Sequence, residues 1–239
     1  MSFDQGNRWT ARSSALPQVG IDAGLREYML RVYNYMAGGL ALTGVVAYLG
    51  AASGFYAQIA HTPMVWVVIF APLALVLFLQ FRIQKMSLGA AQLTFWAYAA
   101  LVGLSLSAIF LIYTGASIAQ VFFITAAMFL AMSLYGYTTR SDLTRFGSFL
   151  FMGLIGIILA GLVNVFLGSP GLQFAISVIG VVVFVGLTAW DTQSIKEMYY
   201  EGDGSEIAGK KAVMGALRLY LDFVNLFMML IQLLGVRRD

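Results

Sequence analysis

Apolar residues dominate three long segments of this chain, and none of the three contains an Asp, Glu, Lys or Arg. The segments are 32–81, 86–139 and 146–190. A helix that spans the hydrocarbon core of a membrane needs about 20 apolar residues, so each segment has room for two spans and a short turn. Clusters of Gly, Pro and small polar residues interrupt the apolar pattern once in each segment. These interruptions lie near 57–63, 114–117 and 168–171.

The pattern predicts six spans in these segments and a seventh in the last apolar stretch. The predicted spans are 32–56, 64–81, 90–113, 117–137, 147–167, 172–190 and 213–234. We therefore expect an all-α integral membrane protein with seven transmembrane helices. The chain divides into a polar N-terminal tail, 1–25, and a seven-helix transmembrane domain, 26–239.

The composition supports this class of protein. Of all residues, 60% are hydrophobic and only 10% are charged, with a mean hydropathy of +0.84, whereas soluble domains carry about 25% charged residues. The net charge of +3 is spread between apolar segments, so no nucleic-acid partner is expected. The chain has no cysteine and one histidine, so we expect no disulfide, no zinc site and no cofactor.

Lysines and arginines are placed asymmetrically between the predicted spans. They occur in the tail, after the second and fourth spans, and between the sixth and seventh, whereas the three intervening turns have none. The positive-inside rule then predicts a cytoplasmic N-terminus. Seven spans put the C-terminus outside, where Arg237 and Arg238 break the rule. Either these two charges are tolerated there, or the last segment dips into the membrane and returns.

Two aspartates accompany the last two apolar segments. Asp222 lies within 219–234, and Asp191 directly follows the predicted sixth span. A carboxylate at the centre of a membrane helix costs about 2.5–3.5 kcal/mol, so both acids are candidate functional residues. Thr188 and Asn225 each lie three positions from one of these acids and share its helical face, which makes them candidate supporting residues.

The predicted topology also indicates which charged groups share a depth. Arg82 ends the second span, Asp191 ends the sixth, and Asp222 lies about one turn into the seventh, all near the cytoplasmic face. These groups could meet if the three spans are neighbours. A static role is the alternative, because Arg218 precedes Asp222 by four residues and an ion pair within the helix is geometrically available.

The residues around the two acids resemble the Bax-inhibitor family of transmembrane proteins, and its bacterial branch is the more similar. The stretches WDTQSIK at 190–196 and LYLDFVNLF at 219–227 resemble the C-terminal pair of motifs, and 26–44 and 135–160 are also similar. The resemblance implies a fold in which the last helix is surrounded by the other six. It also implies a multi-pass protein of the bacterial inner membrane.

The resemblance further implies a Ca²⁺ leak that responds to pH. By motif, Asp191 and Asp222 are the expected proton sensor and gate, and Arg82 is the expected latch in the closed form. Two carboxyls in a low-dielectric site do not both ionise cheaply, so a shared proton would link their helices and its loss would let them repel. Ca²⁺ takes oxygen ligands, so the same two aspartates are the expected ligands of the passing ion.

Two other functions fit parts of the sequence. Some bacterial relatives modulate a membrane-bound ATP-dependent protease by binding, and the tail 1–25 could contact such a partner. Intramembrane aspartyl proteases also carry one Asp on each of two consecutive helices. Their second motif requires glycines before the Asp, where this chain has Tyr220 and Leu221. We therefore expect no enzymatic activity, and we expect the lipid bilayer, Ca²⁺ and protons as partners.

Overall fold

The computed structural model describes the backbone of residues 16–238 and the side chains from residue 23. Within this part of the chain, seven helices are long and apolar enough to span a membrane, which confirms the predicted all-α class and the number of spans. The spanning helices are α1 (Leu16–Ala52), α3 (Met64–Arg82), α4 (Leu88–Ile112), α5 (Gly115–Thr138), α6 (Thr144–Leu167), α7 (Pro170–Glu197) and α8 (Ser205–Leu234). Residues 1–15 of the predicted tail lie outside the described residues.

Two short elements complete the chain. Helix α2 (Phe55–Ala60) lies in the first predicted turn, and a 3₁₀ turn, Ile83–Lys85, follows α3. The other two predicted turns are closed by side-chain caps. The hydroxyls of Thr114 and Ser169 each accept a 3.3 Å hydrogen bond from the backbone N–H three residues on, which satisfies a donor that a helix start leaves unpaired.

Helix α8 is the central helix of the bundle, as predicted for the last span. It packs against α1, α4, α5 and α7, and its buried positions extend from Gly209 to Ile231. Helix α3 packs mainly against α4, and α6 packs mainly against α7. These two peripheral helices face α8 across a cavity, so a space remains beside the central helix.

The outer surface of the bundle is apolar. Phe81 and Phe166, at helix ends, are 80% and 90% exposed. In water such residues would be buried, whereas on a membrane helix they face lipid. The hydrophobic exterior and the alternating direction of the spans therefore both indicate a multi-pass membrane protein.

Two contacts fix α7 against its neighbours. Gly136 on α5 lies so close to the backbone of Ala189 on α7 that a Cβ at this position would overlap the Ala189 carbonyl. Small residues permit such close approach of membrane helices. Gln193 binds the α5–α6 loop with both ends of its amide, accepting from the Leu143 backbone N–H at 2.8 Å and donating to the Ser141 carbonyl at 2.9 Å.

The boundaries of α7 and α8 differ from the predicted ones. Helix α7 continues past 190 to Glu197, and α8 begins at Ser205, before the predicted start at 213. The charged stretch between the predicted sixth and seventh spans therefore belongs largely to helix ends. An ion pair supports the early start of α8, since Lys210 pairs with Glu206 at 2.8 Å within its first turns.

The end of the chain lies beside the α4–α5 turn. The Val236 N–H donates to the Ser117 hydroxyl at 2.8 Å, and the Arg238 N–H donates to the Ile112 carbonyl at 2.9 Å. Because α8 is continuous to Leu234, the last segment crosses the bundle completely. The alternative in which it dips in and returns is wrong, and the chain ends on the face opposite the start of α1.

Candidate functional site: a buried carboxyl pair

Antiparallel packing of α7 and α8 brings Asp191 and Asp222 to one cavity. Their carboxyl groups are close enough to share a hydrogen bond when one of them holds a proton. The Asp191 side chain is 13% exposed and Asp222 is 4% exposed. The structure therefore places the two sequence-predicted acids together and largely away from water.

The pair lies inside its helices rather than at their ends. At 1.5 Å per residue, Asp222 is about 25 Å along α8 from Ser205, and Asp191 is about 9 Å before Glu197. The prediction that Asp222 lies one turn into the last helix is wrong, because α8 begins well before the apolar stretch. The first turns of α8 carry charged residues, so hydropathy alone does not count these turns as part of a membrane span.

One oxygen of the pair has no donor. Asp222 Oδ2 is fully buried and has no hydrogen-bond partner among the described residues. Leaving a buried acceptor unpaired costs about 1–3 kcal/mol, and more for a charged group. Two ionised carboxylates offer only acceptors, so this oxygen can be satisfied by a proton shared with Asp191, by a water molecule in the cavity or by a cation.

Arg218 supplies positive charge beside the pair. Its Nη1 lies 3.9 Å from Asp191 Oδ1, across the α7–α8 interface. This distance exceeds that of a hydrogen bond, so the contact is electrostatic. The alternative ion pair within α8, between Arg218 and Asp222, is not among the ion pairs of the described residues. The Arg218 side chain is 41% exposed and lines the same cavity as the pair.

The structure does not bring Arg82 to the aspartates. Arg82 is exposed at the end of α3 and takes part in none of the ion pairs of the described residues. Helix α3 instead contributes Leu73 and Gln80 to the cavity wall. Because α3 packs against α4 and then turns into the 3₁₀ segment, its last residue lies beyond the cavity.

Of the two supporting residues, one reaches the site. Asn225 lines the cavity one turn after Asp222, and its Nδ2 donates to the Leu221 carbonyl at 2.8 Å. Thr188 is fully buried, and its hydroxyl donates to the Phe184 carbonyl of its own helix at 2.8 Å. The hydrogen bond of the Thr188 hydroxyl thus stays within α7, and Thr188 is not part of the cavity wall.

The cavity has a volume of about 730 Å³ and is lined by residues of α3, α6, α7 and α8. Its polar wall includes two residues that the sequence interpretation missed, Gln80 on α3 and Gln173 on α7. The sequence could have indicated both, because each is a polar residue inside a long apolar segment that has no charged residue. In a membrane helix a polar side chain generally faces the interior of the bundle.

The same cavity wall limits how a metal ion could be held. Among the described residues, no three His, Cys, Asp or Glu side chains lie close enough together to hold a metal ion. Ca²⁺ takes six to eight oxygen ligands, and the aspartate pair with Asn225 offers fewer. A Ca²⁺ ion at this position would therefore keep part of its water shell.

Seven spans, a central last helix and a buried carboxyl pair define a polytopic membrane protein with an ionisable site in its core. The sequence model of the family described as inhibitor of apoptosis-promoting Bax1 matches residues 25–239. The chain therefore belongs to the Bax inhibitor family.

Several relatives cover nearly the whole chain. An uncharacterized protein of Rickettsia prowazekii is 53% identical over 219 residues, covering 91% of this chain and 93% of the relative. Inner membrane protein YbhL of Escherichia coli K12 is 51% identical over 220 residues, covering 90% and 94%. An uncharacterized membrane protein of Streptococcus pyogenes is 34% identical over 217 residues, covering 90% and 94%.

Proposed function

We propose that the protein is a pH-sensitive Ca²⁺ leak channel of the bacterial inner membrane, with its N-terminus in the cytoplasm. The observation that carries this proposal is the buried pair Asp191 and Asp222, one oxygen of which lacks a donor, at the side of a cavity within the bundle. The likeness to an inner membrane protein and the placement of Lys and Arg support the location and orientation.

Proton exchange at the pair is the proposed gating event. A proton held between the two carboxyls joins α7 to α8 by a charge-assisted hydrogen bond. When the proton leaves, two like charges remain at close range, and their repulsion is on the order of a few kcal/mol in a partly solvated protein site. That energy is enough to bias an equilibrium between closed and open arrangements of the two helices.

Arg218 is the proposed counter-charge in the closed arrangement. Its guanidinium offsets part of the negative charge of Asp191 and lies on the same side of the cavity as the pair. A cation that binds both carboxylates must compete with this guanidinium. We therefore assign to Arg218 the role that the family resemblance implied for Arg82, which lies away from the pair in this conformation.

The ion is drawn to the site by the carboxylate oxygens and by the side-chain oxygen of Asn225. Because these ligands do not complete its coordination, the ion keeps waters and leaves again readily. Conduction requires such incomplete binding, since an ion held too tightly does not move on.

Purified protein in liposomes that contain a Ca²⁺ indicator tests the proposal. Wild type should admit Ca²⁺ without any partner protein, and the rate should depend on pH. This experiment also separates a channel from a modulator of a membrane protease, because a modulator acts only through its partner. Absence of any Ca²⁺ entry over the whole pH range would contradict the leak function.

A further inference from the structure

The cavity beside α7 and α8 is polar at both ends and apolar between them. The aspartate pair and Asn225 form one end, and Gln173 lies at the other. On α8, positions 222, 225, 229 and 232 recur at three or four residues, which places their side chains along one face of the helix.

The second polar end is a group of residues from three helices, which we name the amide cluster. Its members are Asn164, Gln173, Ser177 and Gln232. Asn164 Nδ2 donates to Gln173 Oε1 at 3.1 Å, Gln173 Nε2 donates to Gln232 Oε1, and the Ser177 hydroxyl donates to the same Gln232 oxygen at 2.9 Å. Gln232 is exposed and lies two residues before the end of α8, so the cluster is near the face of the bundle on which the chain ends.

Apolar side chains line the cavity between the two ends. They include Ile157, Ile176, Phe184 and Met229. Along α8, Met229 lies about 10 Å beyond Asp222, and Gln232 lies about 15 Å beyond it. A hydrated ion that enters such a stretch loses contact with water, and hydrophobic constrictions of this kind stop ions by remaining dry.

Met229 is held at this level by Gly180 on α7. A Cβ at position 180 would lie 2.7 Å from Met229 Sδ, so the missing side chain of the glycine is the space that the methionine fills. Gln173, Gly180 and Asp191 thus face Gln232, Met229 and Asp222 in three successive layers between the two antiparallel helices.

We propose that the amide cluster is the second mouth of the conduction route and that Met229, seated on Gly180, forms a hydrophobic barrier between this mouth and the aspartate pair. This inference rests on the proposed leak function. It adds to the aspartate pair a second barrier to ion passage. The amide oxygens meet a partly hydrated cation, since carbonyl oxygens are ligands that Ca²⁺ accepts. Proton exchange at the pair opens the route only when the apolar layer also takes up water.

The Ca²⁺ leak of three variants tests the barrier. Met229→Asn places an amide in the apolar layer and should raise the leak about tenfold, which corresponds to a barrier lower by about 1.4 kcal/mol. Met229→Leu keeps the layer apolar and should leak as wild type does. Met228→Asn is the matched control, because Met228 is the adjacent methionine on α8 and does not line the cavity.

Cysteine accessibility gives a second readout that needs no ion flux. The chain has no native cysteine, so an introduced thiol is the single target of a membrane-impermeant thiol reagent. Gln232→Cys identifies the side from which the second mouth is reached, in spheroplasts and in inverted vesicles. Leu221→Cys, which lines the cavity beside the pair, should react slowly from that side, and about tenfold faster when Met229→Asn is added.

The outcomes separate this inference from the proposed function. If Leu221→Cys reacts faster once Met229→Asn is added, but neither wild type nor Met229→Asn leaks Ca²⁺, the barrier is supported and the leak function is wrong. If wild type leaks and Met229→Asn changes neither the leak nor the labelling, the barrier is wrong. Should Met229→Asn not purify as a monodisperse protein, Ile176→Asn introduces the same amide into the same layer from α7, with the same expected results.

Discussion

Arg218 on α8 contacts Asp191 on α7, with 3.9 Å between Nη1 and Oδ1, although Asp222 is its partner by helical spacing. The guanidinium and the second aspartate thus belong to the same helix and approach Asp191 together. A change in the charge of Asp191 therefore acts on two side chains of α8, and in the proposed mechanism this links the protonation of the pair to the position of the central helix.

Removing the carboxyl groups should remove the pH response. In Asp191→Asn and Asp222→Asn, an amide that does not ionise replaces one acid, so the pair no longer exchanges a proton. We expect the Ca²⁺ leak of each variant in liposomes to vary much less with pH than that of wild type.

Asp142→Asn is the control for this experiment. Asp142 is an acid in the exposed loop between α5 and α6, where hydrogen bonds from Thr144 hold the pKa of its carboxyl below the usual range. It therefore stays ionised near neutral pH, and its replacement should leave the pH profile unchanged. Wild-type profiles in both membrane aspartate variants would rule out the proposed sensor.

Neutralising the arginine at the pair should open the channel. Arg218→Gln removes the counter-charge of Asp191, and an ion pair of this exposure contributes up to about 1 kcal/mol, so we expect the leak at neutral pH to rise a few-fold. Arg31→Gln is a matched control, because Arg31 forms an exposed ion pair with Glu27 on α1 at 3.0 Å. A lower leak in Arg218→Gln would contradict the proposed counter-charge.

The same assay decides the role of Arg82. The family resemblance implies that Arg82→Ala also leaks more at neutral pH, whereas the exposed position of Arg82 in this structure predicts little change. If Arg82→Ala leaks more and Arg218→Gln does not, the latch forms with Arg82 in another conformation and the assignment to Arg218 is wrong.

A buried hydrogen bond ties the central helix to α1. The hydroxyls of Tyr220 and Thr43 are 2.6 Å apart, and Thr43 also donates to the Ala99 carbonyl at 2.8 Å. Tyr220→Phe removes the first bond and leaves the second, so we expect a loss of about 0.5–1.5 kcal/mol in stability. Thermal unfolding of the purified protein in detergent measures it, and an unfolding temperature equal to that of wild type would contradict this estimate.

The close approach of α5 and α7 should be sensitive to a single methyl group. In Gly136→Ala the added Cβ overlaps the Ala189 carbonyl, which forces the helices apart and should cost about 1–3 kcal/mol. Gly156→Ala is the matched control, because a Cβ at Gly156 on α6 meets no atom within 4 Å. Equal unfolding temperatures for the two variants would show that the α5–α7 contact is not tight.

Hydropathy and charge placement determined the seven spans, because the cost of placing polar groups in lipid is a local property of each stretch of about 20 residues. The same reasoning, together with the motifs around them, singled out Asp191 and Asp222. It set the start of α8 too late, because the polar first turns of that helix are stabilised by ion pairs and by packing rather than by lipid.

Only the tertiary structure decided which groups meet the two aspartates. It placed Arg218 beside Asp191, left Arg82 exposed and joined Gln173 to Gln232 at the far end of the cavity. Spacing along one helix specifies a face but not the rotation and register of that helix against its neighbours. Those depend on packing between helices distant in sequence, and a shift of one residue turns a side chain by about 100°, away from its partner.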